Sequence, residues 1–434
     1  MSSRCCRLTI CAITIVGLAA LVRLATLQGL IKPVRIVGGS MAETLCGDHF
    51  ELSCGDCGAT CRYDADSPPE DDRVVCPNCG FKNRELAEVE IKRGERVLID
   101  HAVYSLRSPR RWEIVAFRTP GDEDHLAVKR VVGLPGEQIS IRRGEVYADG
   151  RVVQKSLDQL RALAIVVHDN AHSPRANHDL PRRWQAESAT SGWREQRGKP
   201  TFRPKDDSSR EFDWLTYRHW RCVPGPGPRI DKYAVQDNYG YNQQTSRQLH
   251  QVDDLMLVCR MRTTWDSGRL AFRIHHGGDC FQVVLLPRAN EGRLLGSGRL
   301  MDRFPLPAAA YARDVKVELA VCDGRVLLAV NELVLIRRAF EPTPGKHSPN
   351  ARPVAIGAVG ESVEIRRLQV FRDIFYLDPL GLGRDWTAPQ PLAADEFFVV
   401  GDNVPISEDS RNWPQVGLPR RLLLGKVLRR FGGR

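Results

Sequence analysis

The sequence predicts a mainly β protein behind one N-terminal transmembrane helix. Three observations lead there. Residues 8–31, "LTICAITIVGLAALVRLATLQGLI", form the single long apolar run. Beyond it, short β-branched runs alternate with turn residues along most of the chain, the pattern of strands and not of amphipathic helices. Two Cys-x-x-Cys pairs interrupt this pattern early and predict a small cysteine-held insertion. The 434 residues suffice for two or three domains. A hydrophobic content of 42% with 27% charged residues excludes a disordered chain. The net charge of +10 is spread along the whole sequence, and no DNA- or RNA-reading motif accompanies it. General basicity, favouring an anionic membrane surface, is the expectation, with no nucleic acid as partner.

At about 1.5 Å rise per residue the 24-residue run spans a hydrocarbon core of roughly 30 Å. Arg23 and Gln28 fall in its C-terminal half, where long side chains snorkel. Arg4 and Arg7 precede the run and place residues 1–7 in the cytoplasm by the positive-inside rule, while Lys32 and Arg35 on the far side pull the other way. A cleaved signal peptide competes with an anchor, but no A-x-A-like site precedes a mature start. The expectation is a single-pass anchor at 8–31, with everything after residue 32 outside the cytoplasm.

Just past the run stands "VGGSMAETL", Val37 to Leu45. A serine hydroxyl alone is a poor nucleophile, so chemistry at Ser40 requires a base from elsewhere. "RGERVLIDHAVYSLRSPRRWEIVAFR" carries strands at Val97 to Ile99 and Ile114 to Phe117, and "LAVKRVVGL" places Lys129 inside an apolar strand. Such a lysine ordinarily packs its stem and sends its head to water. Alternatively, desolvation lowers its pKa and leaves a neutral amine able to take a proton from a serine. Asp149-Gly150 reads as a hairpin turn. Near the C-terminus "FFVVGDNVPISEDSR" runs a strand, Phe397 to Val400, into the turn Gly401-Asp402-Asn403, with Ser407, Asp409 and Arg411 close behind. A cluster of this kind is usually a solvated loop; directly after a buried strand it is also where groups that orient a catalytic residue sit.

Four blocks, "SMAETL", "RGERVLI" to "EIVAFR", "KRVVGLPGEQI" and "GDNVPISEDSR", stand in that order behind the apolar run. Together they resemble the type I signal peptidases over about residues 8–45, 91–155 and 376–430. The resemblance implies a discontinuous β catalytic domain from 33–155 and 373–434. It implies Ser40 as nucleophile, Lys129 as general base, Ser407 hydrogen-bonded to the lysine amine, and Asp409 with Arg411 holding the local structure. No catalytic cofactor is implied. The substrates would be signal peptides of exported precursors, cut beside the cell membrane. Two positions depart from the family pattern. Its proline in the serine box is Glu43 here, which bears on the turn and the cleft. Two residues before the nucleophile stands Gly38, so an oxyanion would rely on backbone N–H groups, chiefly that of Ser40.

Cys54-x-x-Cys57 and Cys76-x-x-Cys79 are separated by eighteen residues. "CGDC" and "CPNCG" read as two zinc knuckles, forming with their flanks a zinc ribbon at 46–83 that holds one structural ion through Cys54, Cys57, Cys76 and Cys79. Two disulfides are the competing chemistry in an exported domain, and Cys46 and Cys61 nearby complicate the count. Cys5, Cys6 and Cys11 flank or enter the apolar run; palmitoylation is conceivable, small apolar packing simpler.

More than 200 residues separate the lysine block from the terminal block. Residues 156–249 read as a polar connector with short structured pieces. Residues 250–372 carry regular short β runs and a hairpin at Asp323-Gly324, the pattern of a β-sandwich, loosely similar to concanavalin-like or laminin-G-like jelly rolls. Its ligand would be glycan or protein. His275, His276 and Asp279 fit a polar hairpin turn better than a metal or glycan site. The function expected is a membrane-anchored serine endopeptidase. The alternative is a catalytically silent surface protein binding glycan or protein through the sandwich. A self-cleaving repressor also pairs serine with lysine, but it carries a DNA-binding N-terminus where this chain has an apolar run.

Overall fold

The computed structural model describes residues 14–23, 29–68, 73–83, 86–174, 182–196, 199–204, 211–223, 233–265, 268–343 and 349–428. Much of the expected anchor, including 8–13 and 24–28, lies outside them. Residues 14–23 are helical and fully exposed, with Ile15, Val16 and Leu18 each more than 60% accessible. Among the described residues no helix is long and apolar enough to cross a membrane.

Three sequence-distant blocks build one seven-stranded sheet. Its order is Ile31–Arg35, Arg96–Asp100, Leu423–Leu428, Ile114–Thr119, Asp122–Gly133, Glu396–Val400 and Leu418–Pro419. The strands meant to flank the site thus become neighbours only through long-range pairing. Lys129 lies opposite Val115, and Arg130 opposite Val400. Side chains alternate across a strand, so these two adjacent cations leave the sheet on opposite faces. A smaller sheet of Ile139–Arg142, Glu145–Ala148, Arg151–Val152 and Trp386–Thr387 packs beside it. Asp149 and Gly150 both take positive φ, as a two-residue hairpin turn needs.

The described residues of 46–83 form a compact two-lobed unit. His49–Ser53 and Thr60–Asp64 pair around the first cysteine pair, and Val74–Val75 with Lys82–Asn83 around the second.

The large segment between the blocks is two antiparallel sheets, of eight and seven strands, facing each other across one apolar core. Along Leu255–Thr263 the residues Leu257, Cys259 and Met261 point into that core, while Met256, Val258 and Arg260 face outward. One boundary needs correction. The residues read as a connector, 156–249, supply strands to both sheets: Ile165–Asp169, Trp193–Gln196 and Lys199–Phe202 to one, Trp184–Ala186 and Asp213–Tyr217 to the other. These strands run three to five residues, too short to print a period, and their order comes from distant partners such as Trp214 with Gly357. His275 and His276 lie at the end of a hairpin, with His276 paired in register to Asp279 and its Nε2 3.0 Å from Asp254, the polar turn anticipated.

Candidate active site

The segment after Ile31–Arg35 is pinned by its apolar residues. Met41 and Leu45, one helical turn apart, are 1% exposed and pack with Ile36, Val97, Ile99 and Val427. Backbone bonds from Ala42 N–H to Gly39 O and from Leu45 N–H to Met41 O close the turn. Ser40, just before Met41, stays half-buried and reachable. The Ser40 carbonyl accepts from the Asn403 N–H, and the Asn403 side-chain amide donates to Gly39 O. The terminal block therefore fixes the nucleophile's backbone from the far end of the chain. Gly401 sits in the same contact: a Cβ there would lie 2.4 Å from Ser40 O and 2.3 Å from Ser407 Oγ, so no side chain fits.

Lys129 Nζ lies 2.7 Å from Ser40 Oγ. The lysine side chain is 5% exposed. Burial pushes its ammonium down to about 8, against the attraction of Asp409 and with the repulsion of Arg411. An ammonium donates to the serine oxygen; the neutral amine accepts the serine proton instead, and this pKa makes the neutral form accessible near neutrality.

Asp409 is fully buried and accepts five hydrogen bonds: two from the Arg411 side chain, one from the Arg411 N–H, one from the Gly401 N–H and one from Ser407 Oγ. Burial opposes its charge, but the Arg411 guanidinium holds its carboxyl below the ordinary range. Arg411 also donates to the carbonyls of Leu377, Val404 and Ser407. This pair leaves little net charge beside the lysine, which spares Lys129 the full pull of a lone carboxylate. Ser407 was expected to bond the lysine amine. Its hydroxyl proton goes instead to Asp409 at 2.7 Å, because a buried carboxylate is the stronger acceptor; its lone pairs stay available to an amine donor, but no such bond is formed here.

Several positioning residues escaped the sequence reading. Arg130 grips Asp402 with two nitrogens, at 2.7 and 2.5 Å, and donates to Trp112 O. Tyr239 donates to Asp402 O, and the Tyr241 ring stands against Gly39. The cation after Lys129 and the Asp-Asn doublet after a buried strand were the only signals for them. Gly38 has open space around it, and among the described residues the Ser40 N–H donates to no acceptor, which leaves it available to an oxyanion.

The four cysteines converge. Their sulfurs all lie within 4.8 Å of one another, with Cys54–Cys79 at 3.6 Å and Cys57–Cys76 at 3.7 Å. None is disulfide-bonded. The two turns are built alike: Gly58 N–H to Cys54 O and Gly80 N–H to Cys76 O, with both glycines at positive φ. The Phe81 N–H points at Cys79 Sγ at 3.4 Å. This set can hold a metal ion. Cys61 Sγ lies 3.6 Å from Cys76 Sγ, a fifth sulfur at its edge.

Residues 83–189 match the family described as signal peptidase, peptidase S26. That segment contains Lys129; Ser40 and the 407–411 turn lie outside it. Among curated proteins the chain is similar to a probable signal peptidase I-2 from Synechocystis, 35% identical over 75 residues, covering 16% of this chain and 34% of that protein. It is also similar to signal peptidase I of Bacillus caldolyticus, 31% identical over 65 residues, covering 15% and 35%. The chain thus spans about a third of the length of the curated relatives it matches. Among solved structures it is similar to the carbohydrate-binding module CBM66 from Bacillus subtilis, at 6% identity and a TM-score of 0.28 over 43% of this chain and 94% of that one, a likeness too loose to say more. These matches support a peptidase of the signal peptidase type over the segment they cover.

Proposed function

We propose that the chain is a membrane-anchored serine endopeptidase that removes signal peptides from exported precursors, with Ser40 as nucleophile and Lys129 as general base. The observation that carries this reading is the 2.7 Å contact between a reachable serine hydroxyl and a desolvated lysine. Neutral Lys129 takes the Ser40 proton as Oγ attacks the scissile carbonyl. The Ser40 N–H meets the developing oxyanion, and the ammonium so formed returns its proton to the leaving amine. Hydrolysis of the acyl-enzyme repeats the sequence with water. The apolar run at 8–31 serves as the anchor, with the catalytic domain outside the cytoplasm. Ser40 follows it by nine residues, at most about 32 Å of extended chain, so the nucleophile works beside the bilayer.

Cleavage of a membrane-inserted precursor across a pH series tests this. The base must be neutral, so activity is lost as pH falls through the lysine's pKa and gained as it rises. With a pKa of about 8, about 1% of the lysine is neutral at pH 6 and about 90% at pH 9. A rate rising with a midpoint near 8 is expected. A rate still climbing about tenfold between pH 8 and pH 9, as for an exposed lysine of pKa about 10.4, would contradict the assignment.

The ribbon's metal we infer to be zinc. Tetrahedral zinc with Zn–S bonds of about 2.3 Å sets sulfur separations of about 3.75 Å, and Cys54–Cys79 and Cys57–Cys76 stand at 3.6 and 3.7 Å. Zinc would supply cross-linking here and no chemistry, since all four positions go to protein sulfur. Elemental analysis of the purified chain should find one zinc per molecule, lost in Cys54→Ser and Cys76→Ser. Metal-free protein with four titratable thiols, or with two disulfides, would show the inference wrong.

A further inference from the structure

A cleft of about 920 Å³ opens between the ribbon and the outer face of the eight-stranded sheet. Its floor follows from strand alternation: Met256, Val258 and Arg260 on one strand, and Arg367, Gln369 and Phe371 on the next, are the residues turned away from the core. Ala59 to Arg62, at the start of the strand Thr60–Asp64, and Pro77 of the ribbon form the facing wall. Glu43 and Gly240 line the end toward the active site. Glu43 follows Ser40 by three residues, at most about 11 Å of chain, so the cleft begins within a few residues' reach of a bond held at Ser40.

Two properties say what the cleft takes. Six lysine and arginine side chains line it against three carboxylates. Most are matched by neighbouring carboxylates, Arg161 with Glu318, Arg367 with Asp169, Lys316 with Glu318 and Glu332, and Arg62 with Glu51 and Glu95. Arg260 is exposed and enters none of these ion pairs, so among the described residues it is the cation free to meet an acidic ligand. The strand Ile165–Asp169 pairs on one side with residues 369–372, and its other edge meets no strand among the described residues. Ile165, Val166 and Val167 line the cleft. An unpaired strand edge offers a row of backbone donors and acceptors that an extended polypeptide can satisfy and a sugar chain cannot match in register.

We propose that this cleft is an exosite for the polypeptide segment that follows the cleaved bond. The segment adds as a strand along Ile165 to Val167 and presents an acidic side chain to Arg260. The proposal rests on the peptidase reading above. On that reading the segment before the cleaved bond is the apolar signal sequence, so a cleft carrying an exposed arginine suits the other side.

The test separates binding from cleavage. Full-length Ser40→Ala protein in detergent micelles should bind a fluorescent, ten-residue acidic peptide that has no cleavage site. Arg260→Glu should weaken that binding about 5- to 10-fold, added salt should weaken it further, and Val166→Pro should weaken it without touching the charge. In the Ser40 background, Arg260→Glu should raise KM for a precursor with an acidic downstream segment, while a short peptide ending two residues past the bond is cut as before. No binding of the peptide, equal binding by the Arg260→Glu and Val166→Pro variants, or capture of an acidic oligosaccharide in its place would overturn the exosite. Peptide binding without cleavage of any precursor would instead overturn the peptidase reading and leave a polypeptide site.

Discussion

Ser40→Ala and Lys129→Met each abolish precursor cleavage, and the double variant is no worse than either single one. Nucleophile and base act as one unit, so removing either forfeits nearly the whole contribution, a loss on the order of 10⁴-fold or more. Neither change should unfold the protein. Ser40 is half-buried, and Asn403 holds its backbone independently of the hydroxyl by donating to the carbonyls of Ser40 and Gly39. Methionine fills the buried volume of the lysine stem without its charge, and Lys129 makes no ion pair whose partner would be stranded. Circular dichroism and melting unchanged, with cleavage gone, is the expected outcome. Residual turnover above a hundredth of the parent rate in either purified single variant would sink the assignment. Additive losses in the double variant would show that the two residues act separately.

How far these residues were legible in the sequence depends on how local their signal is. Ser40, Lys129 and the 407–411 turn sit in short blocks whose neighbours dictate their setting: two glycines and a buried Met–Leu pair around Ser40, a β-branched run around Lys129. The residues that bring the blocks together carry no such mark. Asn403 and Gly401 matter because of where Ser40 lies, more than 360 positions away, and Arg130 because strand alternation turns it from the serine toward Asp402. The ribbon was legible because a four-sulfur site repeats one local turn twice. The strands between 165 and 217 were not, because a strand of three to five residues is too short to print a period and resembles a loop until its distant partner is known.

Lys155→Met should destabilise the chain by about 3–5 kcal/mol, the range for stripping one partner from a buried ion cluster. Lys155 is 1% exposed, with its ammonium 2.6 Å from Asp323 and 2.8 Å from Asp373. Its backbone N–H donates to Asp323, and its carbonyl accepts from Arg325. Burial disfavours the ammonium, but Asp323 and Asp373 outweigh it and hold the lysine well above its ordinary pKa. Asp373 is pushed up to about 6 by burial, against the pull of the lysine ammonium beside it. Methionine would leave two carboxylates facing each other in a dry interior. The loss should appear as a lower urea midpoint, and Asp323→Asn with Asp373→Asn in the same chain should recover much of it, since the two carboxylates that the ammonium contacts are then neutral. The consequence extends toward the site. The ammonium stands 5.0 Å from the ring centre of Trp112, whose carbonyl receives Arg130, which grips Asp402 beside Gly401. The single variant should therefore cleave several-fold more slowly even where it is fully folded, with the pH midpoint of activity unmoved, because Lys129 itself is untouched. A stable Lys155→Met protein with parental activity would show that this cluster neither ties the two-sheet segment to the catalytic sheet nor bears on the turn that holds Ser40.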